Sequence, residues 1–217
     1  MILNELYASI YQYIVTHLDR YVQAAQIHLA ICLATLLISL AIGVPLGIYC
    51  AKRPSVSVWL MHVFNFLKII PSLAVLIAVM PILGTGFWPA LLALNLHAAP
   101  TILINTYIGF KNLDPFVIES ARGMGLSKRE ILFKVEIPLA MPLILTGVRT
   151  CTVDVIATAT LAAYIGAGGL GEFVIMGLGD LDVTVMLVGS LSIAVLSILA
   201  DLILAGIQKR ATRYLTA

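Results

Sequence analysis

Apolar residues in this chain fall into blocks too long to be the buried stripe of a soluble helix. No charge appears between His28 and Lys52, which predicts a membrane-spanning helix at about residues 31–49, halted by the Ala-Lys-Arg-Pro at 51–54. A second block, about 56–83, is interrupted by Lys68 and Pro71. The turn Gly84-Thr85-Gly86 separates it from a third, about 88–110, whose Pro89 suits a helix first turn. A polar stretch at 111–136 follows. The fourth block covers about 140–165, a glycine-rich connection runs through 166–179, and the fifth block covers about 183–207. A span takes about 20 residues of helix, so the pattern predicts an all-α polytopic membrane protein with about five transmembrane helices. Within residues 3–18, Leu3, Leu6, Tyr7, Ile10, Ile14 and Leu18 recur at helical spacing. They predict either an amphipathic helix on the outer surface or an extension of span one.

Charge placement orients the spans. The segments after spans one, three and five hold Lys52 and Arg53, then Lys111, Arg122, Lys128, Arg129 and Lys134, then Lys209, Arg210 and Arg213. Those after spans two and four hold no Lys or Arg, and the latter carries Glu172, Asp180 and Asp182. Positive charge stays on the cytoplasmic side, so the N-terminus is expected outside and the C-terminus in the cytoplasm. Trp59 and Trp88 fall near opposite interfaces. The predicted organisation is an N-terminal segment 1–24, a membrane domain 25–207 containing the cytoplasmic loop 111–138, and a cytoplasmic tail 208–217.

Composition agrees with lipid as the main solvent: of 217 residues, 61% are hydrophobic and 11% charged, against about 25% charged in a soluble domain. A net charge of +2, with scattered basic residues, gives no case for a nucleic-acid partner. Cys32, Cys50 and Cys151 lie far apart in apolar surroundings and read as small buried hydrophobes. Glu5 and the absence of a basic segment before the first apolar run argue against a cleaved signal peptide. His17, His28, His62 and His97 share no ligand spacing, so no metal is assigned. Gly-Ala-Gly-Gly-Leu-Gly at 166–171 satisfies a dinucleotide fingerprint, but a membrane span precedes it where a strand is required. It reads instead as a flexible outer loop. No phosphate-binding GxxxxGK[ST] occurs, so ATP binding by a P-loop is not expected of this chain.

The cytoplasmic stretch carries the strongest motif. Asp114 before Pro115 reads as an N-cap and first helical position, and Gly123 and Gly125 as the stop. Ser127 and Glu130 form a capping box that opens a second short helix, expected to end at Ile137-Pro138. Geometry alone also fits two interfacial helices that merely connect spans three and four. Glu119-Ser120-Ala121, then Gly125, then Val135, Ile137 and Pro138, resembles the "EAA…G…I-LP" loop of membrane subunits of binding-protein-dependent ABC importers, with Ser120, Val135 and Ile137 as mild departures.

That resemblance implies the type I importer permease fold and a bacterial cell-membrane location. It also implies coupling to an ATPase subunit through Asp114, Pro115, Glu119, Ser120, Ala121, Gly123 and Gly125. The implied partners are two ATPase subunits, which bind the ATP and Mg that this chain does not, a second permease chain, like or unlike, and an extracytoplasmic solute-binding protein. The runs from Lys68 to Pro115 and from Arg149 to Gly171 are similar to permeases of the osmoprotectant subgroup, which handles glycine betaine, carnitine and choline. Lys68 stands where that subgroup usually has glutamine, and Asp154 also departs from it. An importer permease for another small solute is the alternative. An ion-coupled secondary transporter using Lys68 and Asp154 is a further one, which five spans without an inverted repeat disfavour.

The translocation pathway is expected at Lys68, Pro71, Ser72, Asp154, Thr158 and Thr160. Lys68 lies roughly 18 Å from residue 56 and Asp154 roughly 21 Å from Ala140 along their helices. Charges at that depth turn away from lipid, and the two are expected to pair, directly or through water.

Overall fold

A computed structural model describes residues 2–213, without the side chains of residues 2–4. Among the described residues there are ten α-helices and no strand: α1 (Ile2–Thr16), α2 (Leu18–Lys52), α3 (Pro54–Ile69), α4 (Ser72–Leu83), α5 (Phe87–Lys111), α6 (Pro115–Gly123), α7 (Lys128–Ile131), α8 (Ile137–Thr158), α9 (Gly171–Gly179) and α10 (Val183–Ala211). Four helical runs are long and apolar enough to cross a membrane: α2, α5, Lys128–Ile165 and α10. The expected second span corresponds to α3 and α4, an apolar pair that meets at 92°, the geometry of a broken span or a re-entrant loop. Of the expected tail, 208–211 continue α10, and 214–217 lie outside the described residues.

The bend in span two has a local cause. Pro71 offers no N–H and pushes Ile70 into extended backbone, φ −70° and ψ 124°, with Pro71 itself at ψ 130°. Two extended residues in succession turn the chain out of the axis of α3. The expected interruption is therefore a sharp corner.

Two other expectations change. Pro138 does not end the second cytoplasmic helix. A π turn, Leu132–Glu136, joins α7 to α8, with the Ile137 N–H bonded to the Leu132 carbonyl five residues back. That extra residue relieves the contact a proline makes with the carbonyl four residues before it, so the helix runs on without a stop. The glycine-rich connection is not a flexible loop either. A 3₁₀ stretch, Ala159–Ile165, winds down α8, and α9 then packs against it and against α10. A Cβ on Gly171 would fall 2.2 Å from the Thr160 carbonyl oxygen, and one on Gly177 would fall 2.3 Å from the Met186 nitrogen. The glycines let backbone touch backbone.

At the N-terminus, α1 leaves α2 at His17, yet helical bonding crosses the junction from His17 N–H to the Tyr13 carbonyl and from Tyr21 N–H to the His17 carbonyl. Ile10, Tyr13 and Ile14 pack on the core and α1 lies against α10, while Tyr7, Tyr11 and Val15 are exposed.

Helix α5 is the axis of the bundle. It is buried on most sides, against α2, α8, α4 and α3, through Ala90, Leu94, Ala98, Ile102 and Leu103 among others. Its contact with α2 follows a stripe of small residues on α2, namely Thr35, Ser39, Gly43 and Gly47, all buried. Apolar side chains do not drive helices together in lipid, so close backbone approach through small residues supplies the attraction. By contrast, Leu37 on α2 and Ile198, Leu202 and Ile203 on α10 are more than half exposed, as lipid-facing residues are.

Gly47 tests this packing. A Cβ there would lie 2.7 Å from Thr106 Cβ and 2.8 Å from the Leu103 carbonyl oxygen, whereas one on Gly206 meets nothing within 4 Å. Gly47→Val is expected to destabilise the detergent-purified protein by about 1–3 kcal/mol, read as a lowered melting temperature. Gly206→Ala should leave it unchanged. Equal behaviour of the two would contradict a close-packed α2–α5 contact.

Candidate functional site

The hairpin of α6 and α7, expected on the cytoplasmic side, is built by its caps. Asp114, in extended backbone, accepts the Phe116 N–H at 2.9 Å, and Pro115 takes the first helical position. Gly125, at φ +83°, reverses the chain after α6, and the Leu126 N–H reaches back to the Ala121 carbonyl. Ser127 then opens α7: its hydroxyl accepts the Glu130 N–H at 3.3 Å while its own N–H donates to the Glu130 carboxylate at 3.1 Å. Lys134 closes the set on Glu130 at 2.8 Å.

The faces of α6 are clearly divided. Ala121 is 2% exposed, on a helix that packs against α7 and the π turn, so its small size sets how closely α6 lies on them. Glu119, Ser120 and Gly123 are exposed, and Phe116 (75%) and Met124 (74%) stand open. Both are large apolar side chains left open at a short helix outside the apolar runs. Beneath them, Phe110, Ala140 and Ile144 form an apolar cluster with Val44, Ile48, Leu113 and Ile137. The Lys52 ammonium meets the Glu136 carboxylate at 2.7 Å. The hairpin is thereby fixed to the ends of α2, α5 and α8.

The expected pathway residues lie on three elements, α3–α4, α8 and the 3₁₀ stretch. Pro71 and Ser72 sit at the corner of span two, and Lys68 is exposed in the last turn of α3. The Thr158 hydroxyl donates to the Asp154 carbonyl at 2.7 Å, a bond within its own helix. Thr160 is half-buried in the 3₁₀ stretch, where its carbonyl receives α9. The charges of Lys68 and Asp154 both reach the Cys151 thiol, yet no ion pair joins the two among the described residues.

The ion pair between apolar runs is a different one, half-buried between α8 and α10. Arg149 on α8 and Asp201 on α10 make a bidentate contact, Nε to Oδ1 and a terminal nitrogen to Oδ2 at 2.7 Å. Beside it the Gln208 amide donates to the Thr146 hydroxyl at 2.9 Å and to the Pro142 carbonyl at 3.1 Å. These groups, with Thr150, Val153 and Asp154, line a cavity of about 400 Å³. The sequence does carry the signal. Counted from the cytoplasmic ends of the spans at Ala140 and Ile207, Arg149 is roughly 14 Å deep and Asp201 roughly 9 Å, within side-chain reach of each other. An ionised side chain facing lipid at the bundle centre costs about 2.5–3.5 kcal/mol, so opposite charges at similar depth are expected to meet.

At the outer end, His28 is fully buried, and its Nε2–H donates to the Ile156 carbonyl at 3.2 Å. The histidine thus ties α2 to α8 just before the 3₁₀ stretch, a structural role.

The Arg149–Asp201 contact predicts a non-additive pair. Arg149→Met and Asp201→Leu should each lower the yield of folded protein, because each strands one charge, and the double variant should recover most of the loss. Thermal melts of all four proteins would measure this. Additive losses would mean that the two groups act independently.

Comparison with known proteins agrees with these features. Residues 43–213 match the family described as the binding-protein-dependent transport system inner membrane component. The carnitine transport permease protein OpuCB of Listeria monocytogenes is 40% identical over 185 residues, 85% of each chain. The glycine betaine/carnitine/choline transport system permease protein OpuCB of Bacillus subtilis (strain 168) is 36% identical over 185 residues, again 85% of each chain. In fold, the chain superposes on a subunit of the inward-facing MetNI methionine ABC transporter with a TM-score of 0.82, over 91% of this chain and 98% of that one, at 21% identity. With the family matched over most of its length and relatives at this level of identity, the chain belongs to the binding-protein-dependent transport system inner membrane components, as the permease component of an ABC importer.

Proposed function

We propose that this chain forms the membrane channel of an ATP-driven importer for quaternary ammonium osmoprotectants such as glycine betaine, carnitine or choline. The coupling hairpin carries the reading: α6 is capped at both ends, seated on Ala121, and presents Phe116 and Met124 away from the bundle. The solute class follows from relatives at 36–40% identity over 85% of the chain, whose names specify carnitine, or glycine betaine, carnitine and choline.

In this reading two ATPase subunits dock under α6, bind ATP and Mg, and carry out hydrolysis. A second permease chain completes the channel, and an extracytoplasmic binding protein delivers solute. This chain contributes alternating access, a shift between inward-open and outward-open states. The Lys/Arg asymmetry supports, within this reading, a cytoplasmic hairpin, an outer α9, an outer N-terminus and an inner C-terminus.

Proteoliposomes holding the permease, its ATPase and the binding protein test the whole scheme. Uptake of labelled glycine betaine, carnitine or choline should require ATP and the binding protein. Phe116→Ser with Met124→Ser should reduce ATPase co-purification and uptake about tenfold, with the permease melting temperature unchanged. Gly125→Pro should uncouple as well, since proline cannot adopt φ +83°. Uptake driven by an ion gradient without ATP would overturn the reading.

Orientation is tested separately. In a background lacking Cys32, Cys50 and Cys151, a cysteine at Asp180 should react with an impermeant reagent in intact cells, and one at Lys128 should not. The opposite pattern would reverse the topology.

A further inference from the structure

We propose that the cavity between α8 and α10 is a binding site for small organic cations, with Asp154 as the group that recognises positive charge. The proposal takes its solute class from the preceding reading, while the site itself stands on geometry.

The cavity is a groove open on one side, of about 400 Å³, a volume within the range of small-molecule sites, roughly 300–1,000 Å³. Its lining is unusually polar for a membrane span: Thr146, Arg149, Thr150, Asp154, Asp201 and Gln208. Arg149 and Asp201 neutralise one another through their bidentate contact. Gln208 and Thr146 are bonded to each other. Asp154 is left over. Among the described residues its half-buried carboxylate has no hydrogen bond and no ion pair, Lys68 included. The cavity therefore holds one carboxyl group with no hydrogen-bonded or ion-paired partner among the described residues, roughly 21 Å along the helix from Ala140.

A carboxylate at such a depth, without a partner and with room beside it, selects a cation. The Arg149 side chain stays 38% exposed, so it remains open to a carboxylate as well. A zwitterion with a quaternary nitrogen and a carboxylate would then fit both ends of the cavity, nitrogen to Asp154 and carboxylate to Arg149. No aromatic ring lines the space. The site thus lacks the cage that holds quaternary nitrogen tightly. Recognition by charge alone suits a station that must also release its occupant.

Charge-selective thiol modification in the assembled transporter provides the test. Thr150→Cys is introduced where Cys32, Cys50 and Cys151 have been replaced by alanine, and the proteoliposomes are treated with trimethylammonium-ethyl or sulfonato-ethyl methanethiosulfonate. The cationic reagent should react faster, and Asp154→Asn should reduce its advantage about tenfold. Asp154→Glu, which retains the charge, should preserve the preference, and this separates charge from damage to the fold. No reaction with either reagent, equal rates, or a preference indifferent to Asp154→Asn would overturn the site. Uptake measured on the same proteoliposomes keeps the two ideas apart. Wild-type protein that transports no quaternary amine, while the Thr150→Cys protein shows the cation preference, would remove the solute class and leave the cation site standing.

Discussion

Every feature of this chain answers to one constraint: inside lipid, a backbone N–H or carbonyl finds a partner within the protein or remains unsatisfied at a cost of several kcal/mol. Unbroken helix is the default solution, and departures from it are short and local. The corner at Ile70-Pro71 is the sharpest, and it falls beside Lys68, whose position in the last turn suits the carbonyl end of α3. The π turn at Leu132–Glu136 lies at the cytoplasmic rim, where the Glu136 carboxylate meets Lys52. The 3₁₀ stretch Ala159–Ile165 is wrapped by α9, and its last carbonyl accepts the Gly86 N–H at 2.7 Å. The 3₁₀ stretch is the most deeply covered of these, with Ala159, Ala162 and Ile165 buried, whereas Pro71 at the corner is exposed.

The same constraint decides which helices are fixed and which are loosely held. Small residues on α2 bring its backbone against α5, and a Cβ on Gly147 of α8 would fall 2.6 Å from Asn105 Cβ on α5. The core is therefore set by contacts that tolerate little sliding. Helix α3 is held differently. Ser57 is its one buried residue, and a largely apolar groove of about 620 Å³ opens beside it, lined by Phe64 and Leu67 of α3 with Ile38, Ile42 and Leu92. A rigid trio of α2, α5 and α8 next to a loosely seated arm is a plausible physical basis for hinge or shear motion.

How much of this could be read from the sequence depended on the range of the interaction involved. Span three was expected at about 88–110 and is Phe87–Lys111, because apolar run length is a local property that lipid reads directly. The caps at Asp114 and at Ser127–Glu130 were legible for the same reason: donor and acceptor are three residues apart or fewer. What escaped was non-local. Nothing next to Pro138 announces that a π turn will carry the helix past it. The packing that orders 166–179 depends on Thr160 and Met186 on neighbouring elements. Arg149 and Asp201 are 52 positions apart, and pairing Lys68 with Asp154 on depth alone overlooked a second pair of charges meeting the same criterion.

The correction at Pro138 matters most for how the candidate regions connect. Had the helix stopped there, motion of the hairpin would have reached the membrane through a hinge. Instead Lys128–Ile165 is one run of 38 residues, with the hairpin at one end, Arg149 and Asp154 in its middle and the 3₁₀ stretch at the other. Helix bends poorly along its axis, and this one is gripped near its base by Phe110 and the Lys52–Glu136 contact and near its top by His28. A displacement of α6 would therefore reach the walls of the polar cavity as movement of the same rod. The relation of α8 to α10 would change there, and the Arg149–Asp201 contact crosses that boundary. One continuous helix thus gives the proposed coupling surface and the polar groove a common mechanical axis, and the π turn at Leu132–Glu136 is what carries it past the proline expected to interrupt it.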